Sequence, residues 1–143
     1  MTAWTDKYIG VPFLADGRGM DGLDCWGLVC QIYQQELGIA IPSYDGVFND
    51  RTPVKYIEIA SLMTAQRNIW RKVDGRLNEF DMVSLRTGRH AFHVGIMIDS
   101  SRFIHCDNPC GVTIETIASP LWRERVNEVV RHPSMEIYAT ATS

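Results

Sequence analysis

The hydrophobic period changes partway along this chain, and the change constrains the fold more than any other feature. From Cys25 to Leu37 the apolar residues Leu28, Val29, Ile32 and Leu37 keep roughly helical spacing, with Asp24 as N-cap and Gly38 as the stop. A second helix is expected from Pro53, a first-turn proline, to about Arg67, with Tyr56, Ile59, Ala60 and Met63 as its stripe. After that the period becomes two. Phe80–Leu85, His93–Ile98, Arg102–Cys106, Val112–Thr116 and Glu128–Arg131 read as strands, and Glu136–Ala139 as a weaker one. Residues 3–8 read as a helical turn, and Ser119-Pro120 can start a short helix through Arg125. Helices first and strands second predict an α+β fold, with N-terminal helices packed on a mostly antiparallel sheet of five to six strands.

With 143 residues and no repeat, linker or low-complexity stretch, residues 1–143 are expected to form one domain. The net charge of −3 argues against a general electrostatic nucleic-acid binder and supplies no polybasic membrane patch. The small basic clusters, Arg67 to Lys72 and Arg123 to Arg125, read as solvated faces. No run approaches the ~18 apolar residues of a membrane span, so no membrane insertion is expected. The start, Met1 to Lys7, has neither a basic region nor an apolar core of a signal peptide, so folding in the cytoplasm is expected. In such a reducing compartment Cys25, Cys30, Cys106 and Cys110 should be free thiols.

Cys25 carries the chemistry. It falls at the first turn of the predicted helix, after a loop rich in Gly and Asp, where unpaired N–H groups and the helix dipole favour thiolate. Its partners follow from strand parity. If Asp99-Ser100-Ser101 is the hairpin loop, Ile98 faces Arg102 and His105 lies opposite Gly95, with His93 its diagonal neighbour on the same face. Diagonal pairs sit about 7–8 Å apart at Cα, close enough for two imidazoles to meet, and Gly95 leaves room for His105. Val94, Ile96, Ile98, Ile104 and Cys106 then share the opposite face as core. In this arrangement Cys25 is the nucleophile, His93 the general base and acid, and His105 the residue that orients His93. The backbone N–H of Cys25 holds the oxyanion, with Tyr8 as candidate second donor. Asp24 and Trp26 flank the nucleophile on the oxyanion and substrate side. The charge of Asp24 opposes thiolate, which makes capping its main task.

Other motifs carry less. Cys30 reads as a small core residue, and His90, in a loop, and His132, before Pro133, as structural. Gly17-Arg18-Gly19-Met20-Asp21-Gly22 has a G-x-G-x-x-G pattern, but no strand leads into it and its aspartates would repel a pyrophosphate. His105, Cys106 and Cys110 look like half of a zinc site, yet His105 and Cys106 point to opposite faces of a strand and no second pair completes four ligands. No metal and no cofactor is expected.

These residues resemble the NlpC-type cysteine peptidases, a papain-like superfamily that cleaves peptides of the bacterial cell wall. Asp24-Cys25-Trp26-Gly27-Leu28-Val29 is similar to the family's D-C-S-G-L-V motif, with Trp26 in place of Ser. Phe80-Asp81-Met82-Val83 resembles its G-D-L-V strand, with Phe80 where Gly is usual. His93-Val94-Gly95-Ile96 matches H-V-G-I, Phe103-Ile104-His105 falls at the third polar residue, and Tyr8-Ile9-Gly10 resembles the upstream tyrosine segment. The resemblance implies a papain-like NlpC-type fold and hydrolysis of peptidoglycan stem peptides, usually at γ-D-glutamyl–diaminopimelate or neighbouring bonds. Trp26, the segment Trp122 to Val126 and the ending Val129 to Pro133 look most like the phage and prophage branch. That branch implies a place in the virion tail, other phage tail-tip proteins as partners and local wall opening for DNA entry. The lack of a wall-binding module fits delivery by a virion. A structural tail-tip protein with the same fold and little activity is the alternative, and an acyltransferase, amidase or thioesterase a third.

Overall fold

A computed structural model describes residues 3–43, 70–87 and 90–135. The helix expected over 53–67 and the strand expected over 136–139 lie outside the described residues. None of the described helices is long and apolar enough to cross a membrane.

One turn of 3₁₀ helix, Trp4–Lys7, precedes a short hairpin of β1 (Arg18–Gly19) and β2 (Gly22–Leu23), and then α1 (Cys25–Ile32). α1 starts at Cys25 because Asp24 is extended and its side chain accepts from the Gly27 N–H at 2.7 Å. The helix continues to Leu37, as its spacing predicts, but Tyr33–Leu37 widens to π geometry. Gly38 closes it at φ 67, a left-handed conformation that favours glycine.

The remaining strands are β3 (Arg71–Lys72), β4 (Met82–Thr87), β5 (His90–Met97), β6 (Arg102–Asp107), β7 (Gly111–Thr116) and β8 (Val126–Arg131). They form one six-stranded sheet in the order β3-β8-β4-β5-β6-β7, with every pair antiparallel. This is the expected α+β arrangement. The β5–β6 register pairs Gly95 with His105, Ile96 with Ile104 and Met97 with Phe103, as the three-residue loop requires.

Three expectations differ. β4 begins at Met82 rather than Phe80, because Phe80 has φ 73 and breaks the extended run. β5 begins early enough to take His90 out of the loop assigned to it and into the strand backbone. Ser119 to Arg125 is a chain of turns, not a helix: Trp122 and Arg123 both donate to the Ser119 carbonyl, and Arg125 to that of Trp122.

Strand alternation divides the apolar side chains between the two faces of the sheet. α1 packs Leu28, Val29 and Ile32 against Val94, Ile96, Ile104, Cys106 and Val112. Val83, Leu85, Met97, Phe103 and Val129 pack on the other face beneath Trp122. Asp81, at the start of β4, is tied to Arg131 at the end of β8 by two contacts of 2.8 Å, and it also accepts from the Asn78 N–H. That pairing satisfies a carboxylate only 1% exposed.

Candidate active site

The loop before α1 is clamped onto the helix start. Gly27 packs so closely under the loop that an added Cβ would lie 1.9 Å from the Gly17 carbonyl oxygen. Arg18 donates to Asp24 Oδ1 at 2.7 Å and reaches the Ser43 carbonyl with Nε and Nη2. Cys25 therefore sits at the first helical position, 2% exposed. Asp24 caps the helix, and the Arg18 guanidinium offsets the charge that it would otherwise set against a neighbouring thiolate. Burial raises the Asp24 carboxyl above its ordinary range, against the lowering effects of the Gly27 N–H and Arg18, and among the described residues its buried Oδ2 has no hydrogen-bond partner.

On β5 and β6, His93 Nε2 and His105 Nδ1 share a hydrogen bond at 2.7 Å, with their rings 5.0 Å apart and nearly perpendicular. The diagonal relation inferred from parity thus brings the imidazoles into direct contact. Both are buried, His93 at 6% and His105 at 2% exposure. Phe103 and Trp122 wall the pair, their ring centroids 5.1 and 4.9 Å from that of His105. The Arg125 guanidinium lies 4.3 Å over the Trp122 ring. Among the described residues, the buried Trp122 indole N–H has no hydrogen-bond partner. On the far side of His105, Nε2 meets Thr113 Oγ1 at 3.3 Å and Glu115 Oε2 at 3.5 Å, both from β7. Burial lowers the His105 pKa, while the charges of Asp107 and Glu115 act the other way.

The helix start and the histidine pair come together at one end of β5 and β6. Cys106, next to His105, donates its thiol to the Leu23 carbonyl at 3.0 Å, two residues before Cys25. Cys25 packs in the same cluster as Cys106 and Val94, the neighbours of His105 and His93 along their strands. Cys25 therefore lies against the chain neighbours of both histidines, where α1 packs on β5 and β6. Burial, with Cys25 and Asp24 nearby, pushes the Cys106 thiol up to about 12, which makes Cys106 an inert neighbour.

Other predicted site residues are placed differently. The Tyr8 hydroxyl donates to Glu36 Oε2 at 2.7 Å, at the far end of the helix from Cys25. Trp26 is 1% exposed, lies in the α1 core and donates its indole N–H to the Pro42 carbonyl at 2.7 Å. That hydrogen bond anchors the segment after the helix. Asp24, equally buried, is a cap and an ion-pair partner. The Cys106 sulfur of the zinc alternative faces the Leu23 carbonyl. Among the described residues, the His, Cys, Asp and Glu side chains close enough to share a metal are His93, His105 and Asp107. His132 keeps its structural reading, packed against Tyr33 and Trp70.

Sequence reasoning missed Arg18, Thr113, Glu115 and the Trp122–Arg125 pair. Arg125, in a cluster that reads as a solvated face, stacks on a tryptophan 3% exposed. Polar alternation at Thr113 and Glu115 was the available signal for β7. For Arg18 there was only a cation in an acidic loop.

Residues 10–131 match the model of the NlpC/P60 family. The chain is 27% identical over 122 residues to the murein DD-endopeptidase MepS/murein LD-carboxypeptidase of Escherichia coli strain K12, covering 85% of this chain and 56% of that protein. It is 27% identical over 137 residues to the gamma-DL-glutamyl hydrolase of Bacillus subtilis strain 168, covering 92% of this chain and 29% of that one. This chain thus spans about half, or less, of the length of these relatives. Among solved structures, NlpC2 from Trichomonas vaginalis superposes with a TM-score of 0.65 at 21% identity, over 90% of this chain and 44% of that one.

Proposed function

Because this chain belongs to the NlpC/P60 family, we propose that it is a cysteine endopeptidase hydrolysing amide bonds of peptidoglycan stem peptides, of the γ-D-glutamyl–diaminopimelate type. The observation that carries this reading is the 2.7 Å His93–His105 hydrogen bond beside the helix start that holds Cys25. With His93 Nε2 committed to His105, His93 Nδ1 is the nitrogen that takes the Cys25 proton. The thiolate attacks the amide carbonyl, and the Cys25 N–H at the helix start stabilises the oxyanion. His93 then protonates the leaving amine, and water attacking the thioester releases the second product and restores the thiol.

The chain acts, on this reading, at a phage tail tip, alongside other tail-tip proteins, opening the wall locally for DNA entry. Support comes from the resemblance of Trp26, of Trp122 to Val126 and of Val129 to Pro133 to the phage and prophage branch. A structural tail-tip role with little turnover is the second reading, favoured by the 2% exposure of Cys25. Zymography and hydrolysis of defined stem peptides separate the two, with Cys25→Ala as control. Clearing by the wild type alone supports the peptidase, and equal activity of both proteins overturns it. Mass spectrometry of purified tail particles for this chain tests the location.

A further inference from the structure

The histidine pair does not end at His105. His105 Nε2 faces Glu115 Oε2 at 3.5 Å and Thr113 Oγ1 at 3.3 Å, both on β7, directly or diagonally across the ladder that pairs His105 with Thr113. An ionised carboxylate can only accept a hydrogen bond. A proton on His105 Nε2 satisfies Glu115, and a neutral imidazole carries only one N–H. His105 Nδ1 must then accept, and the proton in the 2.7 Å hydrogen bond belongs to His93 Nε2. That leaves the lone pair of neutral His93 on Nδ1, the nitrogen that faces the thiol in the proposed mechanism. The opposite His105 tautomer would put its proton on Nδ1 and make His93 Nε2 the acceptor, moving the basic lone pair away from the thiol.

We propose that Glu115, assisted by Thr113, is a positioning residue that holds His105 as its Nε2–H tautomer and thereby makes His93 Nδ1 the base. The inference rests on the reading of Cys25 and His93 as nucleophile and base. Glu115 suits the role, because its side chain is 32% exposed and stays hydrated while reaching a histidine that is 2% exposed. It touches no reacting atom and works through two imidazoles. The charged groups around His105 are Asp107 on its own strand, Glu115 on β7 and Arg125 from the turns before β8, with His93 facing it from β5. Asp107 is the competing carboxylate, since it too lies near both histidines.

The test uses the whole chain as wild type, Glu115→Ala, Glu115→Gln and Asp107→Asn, each checked for folding by circular dichroism. Histidine ¹⁵N NMR reads the tautomers without any substrate. Peptide-resolved iodoacetamide labelling of Cys25 against pH reads the thiolate–imidazolium pair, and stem-peptide hydrolysis reads kcat and KM. Wild type should show Nε2–H on both histidines. Glu115→Ala should populate the Nδ1–H form of His105 and lower kcat about tenfold with KM little changed. Both Glu115 variants should shift the alkaline limb of the labelling profile to lower pH, because the carboxylate no longer stabilises a protonated pair. Unchanged tautomers and an unchanged limb in Glu115→Ala overturn the inference, as does an effect found only in Asp107→Asn. A wild type with no hydrolase activity that still shows the tautomer and labelling shifts sinks the peptidase reading and leaves the role of Glu115 standing.

Discussion

His93 Nε2 and His105 Nδ1 meet at 2.7 Å because Gly95, directly opposite His105, carries no side chain between them. The hairpin register puts both imidazoles on one face, and the missing Cβ lets His105 lean across the strand. Much of the site's behaviour follows from that pair.

Replacing His105 with alanine should remove the group that orients His93 while leaving Cys25 and the helix start intact. Turnover should fall roughly a hundredfold, within the range for general acid–base assistance, with KM nearly unchanged. Steady-state kinetics on a stem peptide check this, and a variant as active as wild type refutes it.

Gly95→Ala should damage both stability and site. The added Cβ would lie 2.9 Å from the Ile104 carbonyl oxygen and from Phe103 Cδ2, and 3.3 Å from His105 Cβ. Such overpacking typically costs about 1–3 kcal/mol. Urea unfolding should report that loss, and the His93–His105 coupling in NMR spectra should weaken with it.

Phe80 makes a paired prediction. It adopts φ 73, a left-handed conformation costing a non-glycine residue about 1–2 kcal/mol, and is held there by stacking on Trp4 at 5.0 Å. Phe80→Ala loses the ring and keeps the strain, whereas Phe80→Gly loses the ring and relieves it. Glycine should therefore be the milder substitution by ~1 kcal/mol in denaturant titrations. Equal losses would show that the backbone conformation carries no cost.

The β5–β6 hairpin should weaken in acid through Asp99. Its carboxylate accepts from the Ser101 and Arg102 N–H groups and pairs with Arg102 Nε, which lowers its pKa to about 2. A depressed carboxylate contributes stability above its unfolded pKa of about 3.9, and loses it as pH falls through the folded value. The stability difference between wild type and Asp99→Ala should thus be constant above about pH 5 and shrink from pH 4 toward 2. A difference independent of pH over that window would rule this out.

Local chemistry could be read from the residue order alone. Asp24 before an amphipathic run marked the helix start, Gly38 its stop, and two-residue alternation the strands, because capping and periodicity depend on near neighbours. The parity of His93 and His105 was equally readable, since a short hairpin loop leaves few registers. Burial and partner choice were not. Nothing in the order of residues shows that the Tyr8 hydroxyl goes to Glu36 or that the Trp26 indole goes to Pro42. Nor does it show that Arg125 stacks on Trp122 over the histidines. Each is a contact between segments distant in the chain or set by a turn, decided when two faces of one sheet are covered by different elements. Residue order alone established a thiol at a helix start and two histidines on one strand face. Tertiary packing then brought α1 onto β5 and β6 at the end carrying those histidines, and placed Glu115 behind His105, because long-range burial sets which polar groups must find each other.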